Sequence, residues 1–239
     1  VRAVAVVIPA HDEEDLIGRC LSSVGRAVSH ARERTPDLAA VVVVVLDACT
    51  DGTGLQVGRW PVEAVEISAR RVGAARRTGV AHALSTLDAS PHDTWIAMTD
   101  ADTVVPADWI SHQLDLADVG VDLVLGTVRP DFADLSARHV AYWRATHHRG
   151  HPRGNVHGAN LGVRASTYLE AGGIPDLAAH EDVALVRAAR EIGATERASD
   201  VHEVETSGRL VGRTPAGYAA FLARVHAWID APSLAAPGA

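Results

Sequence analysis

The chain has 239 residues, 47% apolar and 22% charged, the balance of a globular protein whose core needs no metal or disulfide staple. Its longest apolar run, residues 38–46, falls far short of the ~20 residues that cross a bilayer, so no integral membrane segment is expected. A formal net charge of −8 argues against nucleic acid as a partner, because that binding depends on a broad basic face.

Residues 3–8 form an apolar run that ends at Pro9 and predicts a strand. Residues 14–34 carry Leu16, Ile17, Cys20, Leu21, Val24 and Val28 at helical spacing, with charges on the other face. Residues 41–46 are apolar throughout, as a strand covered on both faces requires. The turn-forming stretch 47–54 leads into a short helix, 62–67 alternates as a third strand, and 72–87 reads as a helix. A fourth strand, 95–99, runs straight into Asp100-Ala101-Asp102. This alternation predicts an α/β fold: a mostly parallel central sheet flanked by helices, with ligands at the carboxyl ends of the strands. Those ends, residues 9–13, 47–51 and 100–102, are all acidic.

The second half is less regular. It predicts a strand over 121–128, a helix over 137–148, a glycine-rich crossing over 155–163, and helices over 182–192 and 216–228. The Ala/Pro/Gly tail 231–239 is expected to fray. No internal repeat and no linker interrupts the chain, so residues 1–230 are read as a single domain.

Two carboxylates one residue apart, just past a buried strand, suit a hard divalent cation that bridges diphosphate oxygens. The same tripeptide also occurs in solvated loops. Residues 96–104 further resemble the first motif of haloacid-dehalogenase-type phosphatases, which would make Asp100 a phosphoryl nucleophile. That machinery normally includes a lysine, and all 22 basic residues here are arginine. The missing lysine also removes a P-loop, and neither G-x-G-x-x-G after a strand nor G-x-S-x-G is present. Cys20 and Cys49 form no C-x-x-C pair, which excludes a cysteine zinc site and suits two thiols in a reducing cytoplasm.

Taken together, the strand ends resemble family 2 glycosyltransferases. Val6-Val7-Ile8-Pro9-Ala10-His11-Asp12-Glu13-Glu14 is similar to the opening strand and Pro-x-x-Asn-Glu of that family. Val45-Leu46-Asp47-Ala48-Cys49-Thr50-Asp51-Gly52-Thr53 resembles its Asp-x-Ser-x-Asp-Gly-Thr block, and Gly73-Ala74-Ala75-Arg76-Arg77-Thr78-Gly79 resembles its Gly-x-x-x-Ala-Arg-Asn-x-Gly, shortened by one residue. Asp100-Ala101-Asp102 takes the place of the metal-binding Asp-x-Asp. His180-Glu181-Asp182, with Ala184, Leu185 and Arg187, resembles the block that supplies the catalytic base.

The resemblance implies a GT-A fold, with a nucleotide-sugar-binding half over 1–130 and an acceptor half over 131–230. It implies transfer of a sugar from a UDP- or GDP-sugar to an acceptor hydroxyl, with inversion and with Mg²⁺ or Mn²⁺ as cofactor. Carried over by position, Pro9, Ala10, Glu13 and Asp47 would line the base and ribose pocket, and Arg76 would lie near the base or diphosphate. Asp100 and Ala101 would sit by the ribose, and Asp102, with Asp100, would hold the metal. Asp182 would deprotonate the acceptor, with Glu181 as the substitute. His202 would be a third metal ligand, and Arg209 and Arg213 would meet the diphosphate. Asp12, Arg77, Ala48 and Cys49 depart from the family pattern, which leaves base and sugar open. The competing class is a non-catalytic nucleotide-sugar binder of the same fold.

Residues 135–169 hold five arginines (138, 144, 149, 153, 164), five histidines (139, 147, 148, 151, 157) and no acid. This reads either as a solvated face or as a surface for a small anionic acceptor. Arginines beside His147, His148 and His151 argue against zinc there. Gly158, Ala159 and Asn160 follow, as acceptor-pocket candidates on glycines that let backbone approach a ligand. Trp109, Trp143 and Trp228 stand at helical spacing, for stacking on sugars or for the core.

Overall fold

The computed structural model describes residues 1–213 and 217–231; the expected tail from residue 232 onward and Ala216 of the last predicted helix lie outside the described residues. The valine-rich runs become neighbouring strands. β1 (Ala3–Ala10), β2 (Ala39–Asp47), β3 (Glu63–Ile67) and β4 (Thr94–Met98) are parallel, with β1 between β2 and β4 and β3 outside β2. Period-two side-chain alternation splits these strands between two cores. Val4, Val6 and Ile8 pack on one face with Trp95 and Ala97; Ala5 and Val7 pack on the other with Ile96 and Met98.

The remaining strands are β5 (Thr103–Val104), β6 (Leu123–Pro130), β7 (Leu161–Arg164) and β8 (Glu196–Thr206), in the sheet order β3-β2-β1-β4-β7-β6-β8-β5. β7 is antiparallel to both β4 and β6, and β8 is parallel to β6. The carboxyl ends of β1, β2, β4, β6 and β8 therefore face the same edge.

Helices cover both faces. α1 (Ile17–Arg34), α2 (Thr53–Val57) and, further on, α4 (Trp109–Asp118) back one core, and α3 (Val72–Thr86), α6 (Ala165–Glu170) and α7 (Glu181–Glu191) back the other. α5 (Ala137–Thr146) and α8 (Tyr218–Asp230) meet through the stacked rings of His139 and His226, 3.6 Å apart. α1 starts at Ile17 rather than at residue 14 because Glu13 and Glu14 bind the second acidic block. The Glu13 amide donates to Thr53 Oγ1 (2.7 Å) and the Glu14 amide to Asp51 (3.1 Å).

The sequence reading omits β5, α4, α6 and β8. β8 escapes because it is polar: of its 11 residues only Ser199, Val204 and Thr206 are buried, and it shows no apolar alternation. The glycine-rich crossing resolves into a 3₁₀ turn (Gly158–Asn160) followed by β7.

Close packing of α3 on the sheet depends on Gly79, where an added Cβ would stand 2.6 Å from a Val7 methyl and 2.9 Å from a Val45 methyl. Gly79→Ala gains up to about 1 kcal/mol of helix propensity. It forces two β-branched core residues apart, an overpacking cost of about 1–3 kcal/mol. A lower urea midpoint for Gly79→Ala is expected; an unchanged or higher one would show that the sheet yields.

Candidate active site

The acidic strand ends open on one cavity of about 1350 Å³. Where β1 and β2 reach it, the two strand ends are cross-linked. Asp12, at φ +52°, accepts the amides of Thr50 (2.7 Å) and Asp51 (3.3 Å), and His11 Nδ1 lies 2.6 Å from the Asp47 carbonyl. An aspartate tolerates the left-handed conformation almost as asparagine does, which explains how Asp12 can stand where the motif has Asn. Ala48 is also left-handed (φ +53°), at a place where glycine would be unstrained.

The Asp47 carboxylate accepts the amides of Ala69 and Arg70 (2.7 Å each) and Arg71 (2.8 Å). A carboxylate has about four lone-pair sites, so the loop after β3 takes most of them. Asp47 lines the cavity together with Pro9, Ala10, Glu13 and Ala101, but its first task is to shape the loop at residues 69–71.

Arg76 projects from α3 into the space between β4 and α7. Its guanidinium donates to Asp100 Oδ1 (2.5 Å) and to Glu181 Oε1, and Gly158 leaves it room, since a Cβ there would meet the guanidinium. Burial opposes the charge of Arg76, but the two carboxylates hold its pKa above the ordinary arginine value. Burial likewise raises the Glu181 pKa, against the pull of Arg76. Arg76 thus fixes Asp100 and Glu181 at the cavity wall. Glu181, expected from the sequence as a substitute for Asp182, is almost fully buried and paired with Arg76, whereas Asp182 is half-buried at the cavity wall. Asp182 Oδ2 accepts the Gly158 amide (2.7 Å), and Oδ1 the amide of Val183 at the start of α7 (2.8 Å).

Asp102 lies deeper, its side chain 13% exposed. Burial and the neighbouring charge of Asp100 push its pKa up to about 6, against the pull of Arg209. Arg209 Nη2 is 3.0 Å from Asp102 Oδ2, and Thr206 Oγ1 donates to Asp102 Oδ1 (3.1 Å). The Arg209 fork also grips both Glu13 oxygens (2.9 and 2.5 Å). Arg213 donates to the carbonyls of His11 (3.2 Å) and Asp12.

Two candidates go elsewhere. His202 is placed on the α4 side of β8, where its Nε2 pairs with Asp108 (2.8 Å) and its ring lies 4.3 Å from that of His112. The β8 residues that line the cavity are Asp200, Glu203 and Thr206, so His202 does not join Asp100 and Asp102 as a metal ligand. Asn160 is a structural bolt. It accepts from Trp109 Nε1 (2.8 Å) and donates to the carbonyls of Thr127 (2.8 Å) and His202 (3.0 Å), in a space that exists because residue 126 is glycine. Gly158 and Ala159 do line the cavity. Trp109 is fully buried, Trp143 is buried against His147 with ring centroids 3.5 Å apart, and Trp228 is exposed. Sequence reasoning missed Thr206 and the Glu13–Arg209 pair, because both depend on β8 and the turn after it.

A hard divalent ion suits the donor chemistry of Asp100 and Asp102, two carboxylates one residue apart at the end of β4, each of which already faces an arginine. Among the described residues no group of three or more His, Cys, Asp or Glu side chains could hold an ion unaided. Such a pair matches a cation that draws its remaining ligands from water and phosphate oxygens, as Mg²⁺ commonly does.

Removing Arg76 leaves Glu181 buried without a cation. Arg76→Met is expected to lower unfolding stability by about 3–5 kcal/mol, the usual cost of breaking a buried ion pair from one side. Arg76→Met combined with Glu181→Gln should regain part of that loss in urea denaturation; no recovery would show that the pairing is not what stabilises the site.

The architecture has close counterparts among solved structures. The mannosyltransferase PcManGT from Pyrobaculum calidifontis, in complex with GDP-Man and Mn²⁺, superposes with a TM-score of 0.63 at 21% identity, over 95% of this chain and 69% of that one. S. aureus TarS 1–349 gives 0.60 at 13% identity, over 87% of this chain and 61% of that one, so this chain spans less than two thirds of its length. Glucosyl-3-phosphoglycerate synthase from Mycobacterium tuberculosis, in complex with Mg²⁺ and UDP, gives 0.55 at 16% identity, over 87% of this chain and 72% of that one. The shared fold is the GT-A arrangement. A comparison with curated protein sequences gave no match. The sequence model described as glycosyl transferase family 2 matches residues 5–168, more than half of the chain, and spans four of the five blocks, all but the one at residues 180–187. The chain therefore belongs to glycosyl transferase family 2.

Proposed function

We propose that the protein transfers a sugar from a UDP- or GDP-sugar to the hydroxyl of a small anionic acceptor, with inversion at the anomeric carbon. The observation that carries this reading is the convergence of Asp100, Asp102 and Asp182 on one cavity in a chain of this family. Nucleotide or nucleotide-sugar and a divalent ion in the structural counterparts support the donor and metal assignments.

Pro9, Ala10 and Glu13 line the donor side, with Asp47 offering one remaining acceptor position to the base. Mg²⁺ or Mn²⁺, held by Asp102 with Asp100, would neutralise charge on the departing diphosphate. Arg209 stands beside Asp102, and Arg213 lines the same cavity; the two would supply the positive charge that lysine would otherwise provide to the diphosphate. Asp182 keeps a free lone pair on each oxygen beyond its two backbone contacts, so it can accept a proton. As the acceptor oxygen bonds to the anomeric carbon, its proton passes to Asp182 and the bond to the diphosphate breaks on the opposite side. Gly158, held by Asp182, brings acceptor-side backbone next to the base.

Anionic character for the acceptor rests on the cavity rim, where Arg144, His148, Arg149, His151 and Arg153 gather. Among the described residues Arg144 and Arg153 have no carboxylate at ion-pair distance, while Arg149 is only 3.9 Å from Glu203. The guanidinium groups of Arg144 and Arg129 lie 5.4 and 5.3 Å from the Phe132 ring centroid. Cys20 and Cys49 are both free thiols, in keeping with a cytoplasmic setting.

The test is nucleotide release from UDP-, GDP- and TDP-sugars with Mn²⁺ or Mg²⁺, since slow donor hydrolysis does not need the acceptor. Release from one donor is expected, abolished in Asp102→Ala. With acceptor supplied, Asp182→Asn should lose about 10²- to 10⁴-fold in transfer. Phosphate release from a simple phosphomonoester, without nucleotide release from any donor, would overturn this reading in favour of a phosphatase. Donor binding without any turnover, with or without acceptor, would instead mark a binding protein.

A further inference from the structure

We infer that Arg209 is the resident counter-cation of the metal-binding carboxylate, and that metal and donor bind cooperatively because both must exchange with it. The inference rests on the assignment of Asp102 as metal ligand under the proposed function.

A carboxylate as buried as Asp102 needs a positive partner, and this chain has no lysine to offer. Arg209 fills that need with one nitrogen, Nη2, 3.0 Å from Asp102 Oδ2. The same guanidinium holds Glu13 through Nη1 and Nη2, at 2.9 and 2.5 Å. A planar fork can serve two carboxylates at once where an ammonium group could not do so with fixed geometry. The oxygen that would receive the cation is therefore already against a positive charge.

A cation arriving alone at Asp102 must dislodge the Arg209 nitrogen and then stand beside it. One N–H of Arg209 Nη2 then loses its acceptor, while Glu13 still holds the rest of the fork. A diphosphate arriving with the cation changes this, because it offers the freed nitrogen a new acceptor. Each ligand thus removes part of the cost of binding the other, which is a positive coupling between them. Glu13 keeps the guanidinium in reach throughout. The turn that carries Arg209 stays seated, with the Arg209 amide donating to Ser207 Oγ (3.3 Å) and Arg213 fastened to the His11 and Asp12 carbonyls. The exchange needs rotation of one side chain and no loop opening. Arg209 is in this sense a positioning residue, acting on when the carboxylate becomes available.

The experiment measures Mn²⁺ binding to the full chain from the electron paramagnetic resonance of free Mn²⁺, with and without UDP or GDP, correcting for Mn²⁺ held by free nucleotide. For the unaltered chain, Mn²⁺ affinity is expected to rise roughly tenfold or more when the preferred nucleotide is present. Arg209→Gln should bind Mn²⁺ alone roughly five- to tenfold more tightly than the unaltered chain, and the nucleotide-dependent gain should shrink by a similar factor. Arg209→Lys, which restores the charge, should move both values back toward those of the unaltered chain. Equal nucleotide-free Mn²⁺ affinities for Arg209→Gln and the unaltered chain, with nucleotide-dependent uptake intact, would overturn the exchange and leave the proposed function standing. If Arg209→Gln unfolds without ions, Mn²⁺ alone is expected to restore the fold by supplying the missing charge; failure to do so would overturn the inference. No Mn²⁺ uptake by either protein, even with nucleotide, would strike the metal assignment itself.

Discussion

The Arg76 guanidinium, buried between Asp100 and Glu181, is the interaction on which the site geometry depends. It joins three elements that are far apart in sequence: α3, the end of β4 and the start of α7. Once that cation is in place, Glu181 can stay charged in the interior, and Asp182, the next residue, is directed at the cavity wall. The close approach of Gly158 to the same guanidinium brings the 3₁₀ turn at Gly158–Asn160 against Asp182. One buried charge therefore sets the positions of Asp100, Asp182 and the backbone at Gly158.

Charge balance around the cavity follows from the absence of lysine. Glu13, Asp47, Asp100, Asp102, Glu181 and Asp182 all line one space, a concentration of negative charge that would oppose folding if left unpaired. Three different devices offset it. Backbone amides surround Asp47, Arg76 is fixed permanently behind Asp100, and Arg209 bridges Glu13 and Asp102 from the rim. The first two are internal, with Asp47 and Arg76 both buried. Arg209 is more exposed and shares its fork between two acids, so it is the member of the set that can change partners.

Much of the fold is legible in local pattern. Valine-rich β1 and β2 and the periodic α1 are read at nearly their observed bounds because buried strands and amphipathic helices impose short-range periods on the chain. β8 is not legible, since a strand that lines a polar cavity has no reason to alternate apolar and polar residues. His202 and Asn160 went astray for the same reason. Without β8 in place nothing reveals that His202 faces α4, or that Asn160 fills the space beside Gly126.

The sequence by itself determined the alternation of strands and helices, the acidic residues at the strand ends and the family to which they point, because each is a local arrangement of residue types. Tertiary structure decided which of those acids are free to act. Arg209 reaches Glu13 across 196 positions of the chain, and Arg76 reaches Glu181 across 105. Pairings at that range are fixed by strand order and sheet direction, and no window of sequence contains them.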